Sequence, residues 1–267
     1  MRKNVILLIS FALVVTVPLI ALGSAIDVLE KSPRHHEWVS VKHGDREVQS
    51  FVAYPEVSEK ALAVIIIHEN RGLTDWVRTV ADRIAAAGYI AIAPDLLSGA
   101  GPGGGKTSDF PDSDAAREAI YKLTPEQVTS DLNAVADYVT GLPAASGKLA
   151  VAGFCWGGST TFRFATERKG LAASFVFYGT GPQEAAGYGK IKAPVYGFYG
   201  GDDARVNKTI PMSADEMKKA GKTYEPVTYD GAGHAFMRLG EEENPKDANK
   251  KAMEEGWKRW LGLLGKL

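Results

Sequence analysis

The chain has 267 residues, 45% hydrophobic and 24% charged, with 31 Lys and Arg set against 32 Asp and Glu for a formal net charge of -1. That composition belongs to a globular domain with a substantial core, and its near-neutral balance offers no field to draw in nucleic acid or an anionic membrane surface. A single cysteine excludes an internal disulfide framework.

The N-terminus differs from the rest. "MRKN" is basic, residues 5–23 form a 19-residue uncharged apolar run, and "GSA" closes it with small residues. The pattern predicts a signal peptide over 1–25, removed after Ala25, and an exported protein, periplasmic or secreted, that begins at Ile26. The alternative is an uncleaved anchor, since about 20 apolar residues span a bilayer, and only in that case is the membrane a partner. No cysteine follows the run to take a lipid. In an oxidising compartment a lone thiol is a liability unless it is sheltered or used.

Residues 26–267 read as one domain. "EWVSVKH" (37–43) and "REVQSFVAYP" (46–55) alternate as an antiparallel hairpin turned at Gly44-Asp45. "ALAVIIIH" (61–68) has the unbroken β-branched character of a strand buried on both faces. A helix ends at the glycine of "DWVRTVADRIAAAG", and "YIAIAP" (89–94) is the next strand. The Gly, Ser, Asp and Pro-rich stretch 95–114 is expected to be a mobile loop over a binding cleft rather than a linker. A helix over 124–143 follows, capped by Thr124 with Pro125 in its first turn. Strands are predicted at 148–154, 171–179, 193–200 and 223–230, with helices at 157–168, 207–220 and 245–264. The alternation argues for an α/β fold with a mostly parallel central sheet, helices on both faces and an antiparallel hairpin at one edge.

Sites in such sheets form where strands end. Four junctions carry polar residues: His68-Glu69-Asn70, Cys155, Asp202-Asp203 and His234. Nucleophile, acid, histidine is the chain order of the α/β-hydrolases. "GFCWGG" (153–158) has the form of a nucleophile elbow with cysteine in place of serine. Glycines flank the nucleophile because the strand-to-helix turn crowds the backbone there. The elbow puts Cys155 at a helix N-terminus, which favours a thiolate, and the Trp156 amide within reach of an oxyanion. His234, in the turn-rich "GAGHAF", suits a general base that needs an orienting carboxylate. Asp202 and Asp203 both qualify, and propensity does not separate them. His35-His36 is a metal-ligating pair in type, but it lacks a third ligand nearby.

Five segments together, "HENRGL", "APDLLSG", "GFCWGG", "YGGDDARV" and "GAGHAF", resemble the dienelactone hydrolase family, the cysteine-using branch of the α/β-hydrolases. The spacings of 48 residues from Cys155 to Asp203 and 31 from Asp203 to His234 fit it as well. The resemblance implies Asp203 as the acid. It implies that Glu69 holds the thiol neutral at rest and takes its proton when substrate arrives. It also implies that the Asn70 amide completes the oxyanion hole. Residues alone suggest instead an ordinary ion pair of Glu69 with Arg71 or Arg78. Of the two arginines that hold a substrate carboxylate in the family's lactonases, Arg238 is matched. The segment "DLLSGAG" holds no counterpart to the other, leaving Lys106 as a substitute.

The expected protein is therefore an exported hydrolase cleaving a small-molecule ester or lactone through Cys155, His234 and Asp203, with no metal or organic cofactor. The alternative reading of Arg238 is a surface pair with Glu241-Glu242-Glu243. Two rival functions are a peroxide-reactive thiol, which lacks a resolving cysteine, and a non-catalytic module that keeps the pocket. Oligomeric state is left open.

Overall fold

A computed structural model describes residues 24–267; the apolar run of the expected signal peptide lies outside them. The first element is helix α1 (Ala25–Glu30), capped by Ser24 and Asp27 in a reciprocal box. Eight strands follow in one sheet: β1 (His36–His43), β2 (Arg46–Ala53), β3 (Ala61–Ile67), β4 (Ile90–Pro94), β5 (Ala145–Phe154), β6 (Leu171–Phe177), β7 (Val195–Gly200) and β8 (Tyr224–Tyr229). Their order is β1-β2-β4-β3-β5-β6-β7-β8, with β1–β2 and β2–β4 antiparallel and every other pair parallel.

Strand β3 explains how the sheet is held. All seven residues are buried, and the period of two deals them alternately to two cores. Leu62, Val64 and Ile66 join Val77, Val80 and Ile84 of α2 (Asp75–Ala86) and Trp257, Trp260 and Leu264 of α10 (Asp247–Leu264). Ala63, Ile65 and Ile67 face the other way, with Val128, Leu132 and Val135 of α4 (Pro125–Gly141) and Phe162 and Phe164 of α5 (Trp156–Glu167). Each large aliphatic or aromatic side chain so buried contributes roughly 1.5–3 kcal/mol. This two-sided demand is why the run 61–68 contains no polar residue before His68.

The connections place the site. From β3 the chain crosses to β4 on one side, then returns to build β5 on the other. Loops leaving β3 and β5 therefore diverge, and a crevice opens at their carboxyl ends. Glu69-Asn70 and Cys155 stand there.

Two expectations need correction, and one helix is additional. The stretch 95–114 is not a free cover. Thr107 donates through its amide and hydroxyl to the Asp95 carboxylate (2.9 and 2.7 Å), Leu73 N–H donates to the Thr107 hydroxyl (3.0 Å), and Ser98 Oγ accepts from Gln49 N–H (2.9 Å). A depression of about 560 Å³ along this loop, lined by Arg46, Gln49, Ser98 and Lys106 among others, contains no residue of the expected triad. The stretch then runs into an unpredicted helix, α3 (Ser113–Ile120), capped by the Asp112 carboxylate and anchored by Ala116 and Ile120. Finally, the helix expected over 207–220 is two, α7 (Ala204–Asn207) and α8 (Ile210–Lys219), because Pro211 suits only a first turn. The short helices α6 (Ala185–Tyr188) and α9 (Phe236–Leu239) complete the set.

Candidate active site

Cys155 sits between β5 and α5 with φ 56° and ψ −114°, a left-handed backbone that a non-glycine residue adopts only when the surroundings enforce it. Its amide donates to Phe177 O (3.0 Å) and its carbonyl accepts from Ser159 N–H (3.1 Å), so the residue closes a strand ladder and opens a helix at once. The flanking glycines serve close approach. A Cβ on Gly153 would strike the Gly157 carbonyl, one on Gly157 the His68 and Ile67 carbonyls, and one on Gly158 the Phe177 carbonyl. These are backbone atoms that cannot step aside.

His234 arrives from the loop after β8. Its Nε2 is 3.0 Å from Cys155 Sγ and its Nδ1 is 2.5 Å from Asp203 Oδ2. The loop is fixed by Asn249 Oδ1, which accepts from Gly233 N–H (2.8 Å), and by the Asp202 amide donating to Ala232 O (2.9 Å). Asp203 caps α7, its other oxygen accepting from Val206 N–H at 3.3 Å. Asp202 is elsewhere: its carboxylate is exposed and paired with Lys246 Nζ at 2.9 Å. The structure thus separates the two aspartates that propensity left equal.

Electrostatics follow from this line. Burial opposes charge on His234, but the hydrogen bonds to Asp203 and Cys155 outweigh it and push its pKa up to about 9. Burial also works against the Asp203 carboxylate, and the His234 bond holds it below the usual range all the same.

Glu69 and Arg238 form the second half of the site. Arg238 Nε donates to Glu69 Oε2 at 2.9 Å, and its guanidinium lies 3.9 Å from Glu242. Glu69 is buried, and its other oxygen, Oε1, has no partner among the described residues. Glu69 therefore pairs with neither Arg71, which is exposed, nor Arg78, which bonds Asp75. Glu241 is taken by Trp76 Nε1 and Arg83. Lys106, considered as a substrate ligand, instead lies over the Trp38 ring at 4.2 Å and is spent on that face.

The Asn70 amide, just past Glu69, bonds no other group among the described residues. As the first residue of α5, Trp156 has an N–H without an intrahelical acceptor. Both expected oxyanion donors are therefore free of protein acceptors.

Sequence reasoning missed Tyr178 and Ala235. With Cys155 they are the non-glycine residues at positive φ among those described (38° and 62°), and both border His234. Tyr178 packs edge-on against the imidazole at 5.1 Å, fully buried, its hydroxyl without a partner among the described residues. Burial raises that phenol well above its ordinary pKa, so it stays protonated. No residue-type pattern announces a strained tyrosine. Its signal is "FYG" at a strand end, where Gly179 packs its Cα directly on Gly158.

Comparison with known proteins identifies the family and the fold. A family model described as the dienelactone hydrolase family matches residues 48–267. A provisionally named carboxymethylenebutenolidase of Saccharolobus solfataricus is 31% identical over 256 residues, covering 82% of this chain and 93% of its own. Another provisionally so named, from Salmonella typhimurium, is 29% identical over 80% of this chain and 81% of its own. Among solved structures, a provisionally named dienelactone hydrolase from Klebsiella pneumoniae superposes with TM-score 0.76 at 25% identity, covering 88% of this chain and 99% of its own. The Anabaena variabilis dienelactone hydrolase shares the fold at TM-score 0.62 and 18% identity, over 83% and 95% of the two chains. The chain belongs to the dienelactone hydrolase family, whose members are hydrolases of the ester and lactone type.

Proposed function

We propose that this hydrolase cleaves its ester or lactone through a covalent acyl-enzyme on Cys155. The observation that carries the reading is the unbroken line Asp203–His234–Cys155, 2.5 Å and 3.0 Å long, ending on a sulfur held at a strained strand-to-helix turn. With its Nδ1–H given to Asp203, the imidazole presents Nε2 to the sulfur. His234 Nε2 takes the thiol proton as Cys155 Sγ bonds to the carbonyl carbon, and the oxyanion is met by the Trp156 and Asn70 amides. Collapse breaks the C–O bond to the alcohol, which leaves with the proton from His234. His234 then takes a proton from water as water attacks the thioester, releasing the acid and the thiol. No step requires a metal or organic cofactor.

Glu69 supports the resting state in this scheme: its Oε1, without a partner among the described residues, is the hydrogen-bond acceptor offered to the neutral thiol before His234 takes the proton. Arg238 acts on a substrate carboxylate only by exchanging out of its bond to Glu69. The exported state is proposed on the N-terminal pattern alone: cleavage after Ala25 leaves a chain beginning at Ile26, and mass spectrometry of the protein recovered from its exporting host decides it.

Iodoacetamide tests the covalent reading. It should inactivate the enzyme, bound substrate should protect it, and Cys155→Ala should lose turnover of chromogenic esters and lactones. Full activity in that variant would end the proposal, and consumption of peroxide in place of esters would favour the thiol-redox alternative.

A further inference from the structure

His68 is fully buried at the end of β3, yet it is no part of the Asp203–His234–Cys155 line. Its ring is held from three directions, and its backbone from a fourth. Leu96 N–H donates to Nε2 at 3.3 Å, so that nitrogen carries no proton. Nδ1 therefore bears the hydrogen and donates it to the carbonyl of the next residue, Glu69 O, at 2.7 Å. The Trp156 ring stacks on the imidazole at 5.6 Å with only 11° between planes. Gly157, lacking a Cβ, lets the backbone of α5 close onto the His68 carbonyl.

The Glu69 carbonyl accepts from no other group among the described residues. It belongs to the same planar peptide as the Asn70 N–H, and in a trans peptide the two point in opposite directions. Holding one aims the other. We propose that His68 is a positioning residue for the oxyanion site, fixing the Glu69–Asn70 peptide so that the Asn70 amide faces the carbonyl oxygen attacked by Cys155. The inference rests on the covalent reading above and goes beyond it, since it assigns the orientation of one donor to a ring that never meets substrate. Through its stack on Trp156, His68 also braces the residue that supplies the second donor. Burial pushes its pKa down against the opposing pull of the Asp95 and Glu69 carboxylates, which favours the neutral ring, and its two hydrogen bonds fix the tautomer.

Two substitutions separate donor from bulk. His68→Asn keeps a donor near the Nδ1 position, whereas His68→Gln keeps an acceptor near Nε2 and loses that donor. Losing the aim of one oxyanion donor should lower kcat on a chromogenic ester by about 10²-fold in His68→Gln, with KM within about threefold. His68→Asn should recover at least about tenfold of that loss. Alkylation of Cys155 by iodoacetamide proceeds by displacement at a methylene, with no oxyanion, so its rate should stay within about twofold in both variants. An unchanged kcat in His68→Gln, or equal losses in kcat and alkylation rate, would overturn the proposal. If iodoacetamide leaves wild-type turnover intact, the covalent reading fails instead, and the two failures are distinct. Nitrogen-15 NMR of the wild-type ring tests the bond independently of any variant's folding. The proposal requires the Nδ1–H tautomer from pH 6 to 9, and an Nε2–H or doubly protonated ring would contradict it.

Discussion

The two halves of the site each hold a buried carboxylate against a cation, and they differ in how completely it is bound. Asp203 spends one oxygen on His234 and the other on the Val206 amide. Glu69 gives one oxygen to Arg238 and leaves the other buried without a partner among the described residues. A satisfied carboxylate serves as a fixed post for the imidazole. A half-satisfied one retains a cost of about 1–3 kcal/mol that a proton or a substrate group would relieve. The first half is therefore built to stay in place, the second to change partner.

Breaking the fixed half should have the largest effects. Cys155→Ala should cost at least about 10⁴-fold in kcat while thermal stability stays near wild type, since removing a nucleophile alone has cost more than this in other enzymes. Circular dichroism beside ester kinetics checks both parts. Asp203→Asn should cost about 10⁴-fold by leaving His234 in the wrong tautomer. Asp202→Asn should change kcat by less than about twofold, because an exposed pair with a lysine is weak. A larger loss at Asp202 would place the orienting acid in the wrong residue.

Effects on the changeable half should appear first as stability. Arg238→Ala strands the buried Glu69 carboxylate, and the pair is intermediate between exposed and buried (26% and 8% side-chain exposure). A loss of about 2 kcal/mol is expected, or roughly 4–8 °C in Tm. Adding Glu69→Gln should return part of it, as a double-mutant cycle would read. On matched charged and neutral esters, Arg238→Ala should raise KM for the charged one alone if Arg238 exchanges onto a substrate carboxylate. An unchanged preference would confine it to its bond with Glu69.

A further effect concerns pH. His234 is raised in the folded state from 6.5 to about 9, so protonating it stabilises the fold fully below about pH 6.5 and that contribution is lost as pH rises through about 9. Wild-type Tm should therefore fall towards Tm of His234→Gln between pH 6.5 and 9.5. A constant gap between the two curves would contradict the strength of the Asp203–His234–Cys155 coupling.

The same contrast separates what was legible in the sequence. The elbow could be read because its geometry is a backbone requirement: Gly153, Gly157 and Gly158 face carbonyl oxygens that admit no Cβ. The sheet could be read because β3 must be apolar on both faces. Asp203 could not be told from Asp202 by local propensity, since their difference lies in Lys246 and His234, brought from far along the chain. The partner of Glu69 was missed for the same reason, Arg238 lying 169 residues away. The stretch 95–114 misled because its Gly and Pro content announces turns without saying what holds them. Asp95 and Thr107 close it through side chains 12 residues apart.

In the proposed mechanism the atom that carries the acyl group is Cys155 Sγ. Rapid acid quench of the enzyme mixed with excess p-nitrophenyl acetate, followed by intact-protein and peptide mass spectrometry, tests it most directly. One acetyl group is expected on the peptide containing Cys155, formed as fast as the first turnover and absent from Cys155→Ala. Steady turnover with that peptide unmodified at every quench time, or an acetyl group turning over on another residue, would contradict it.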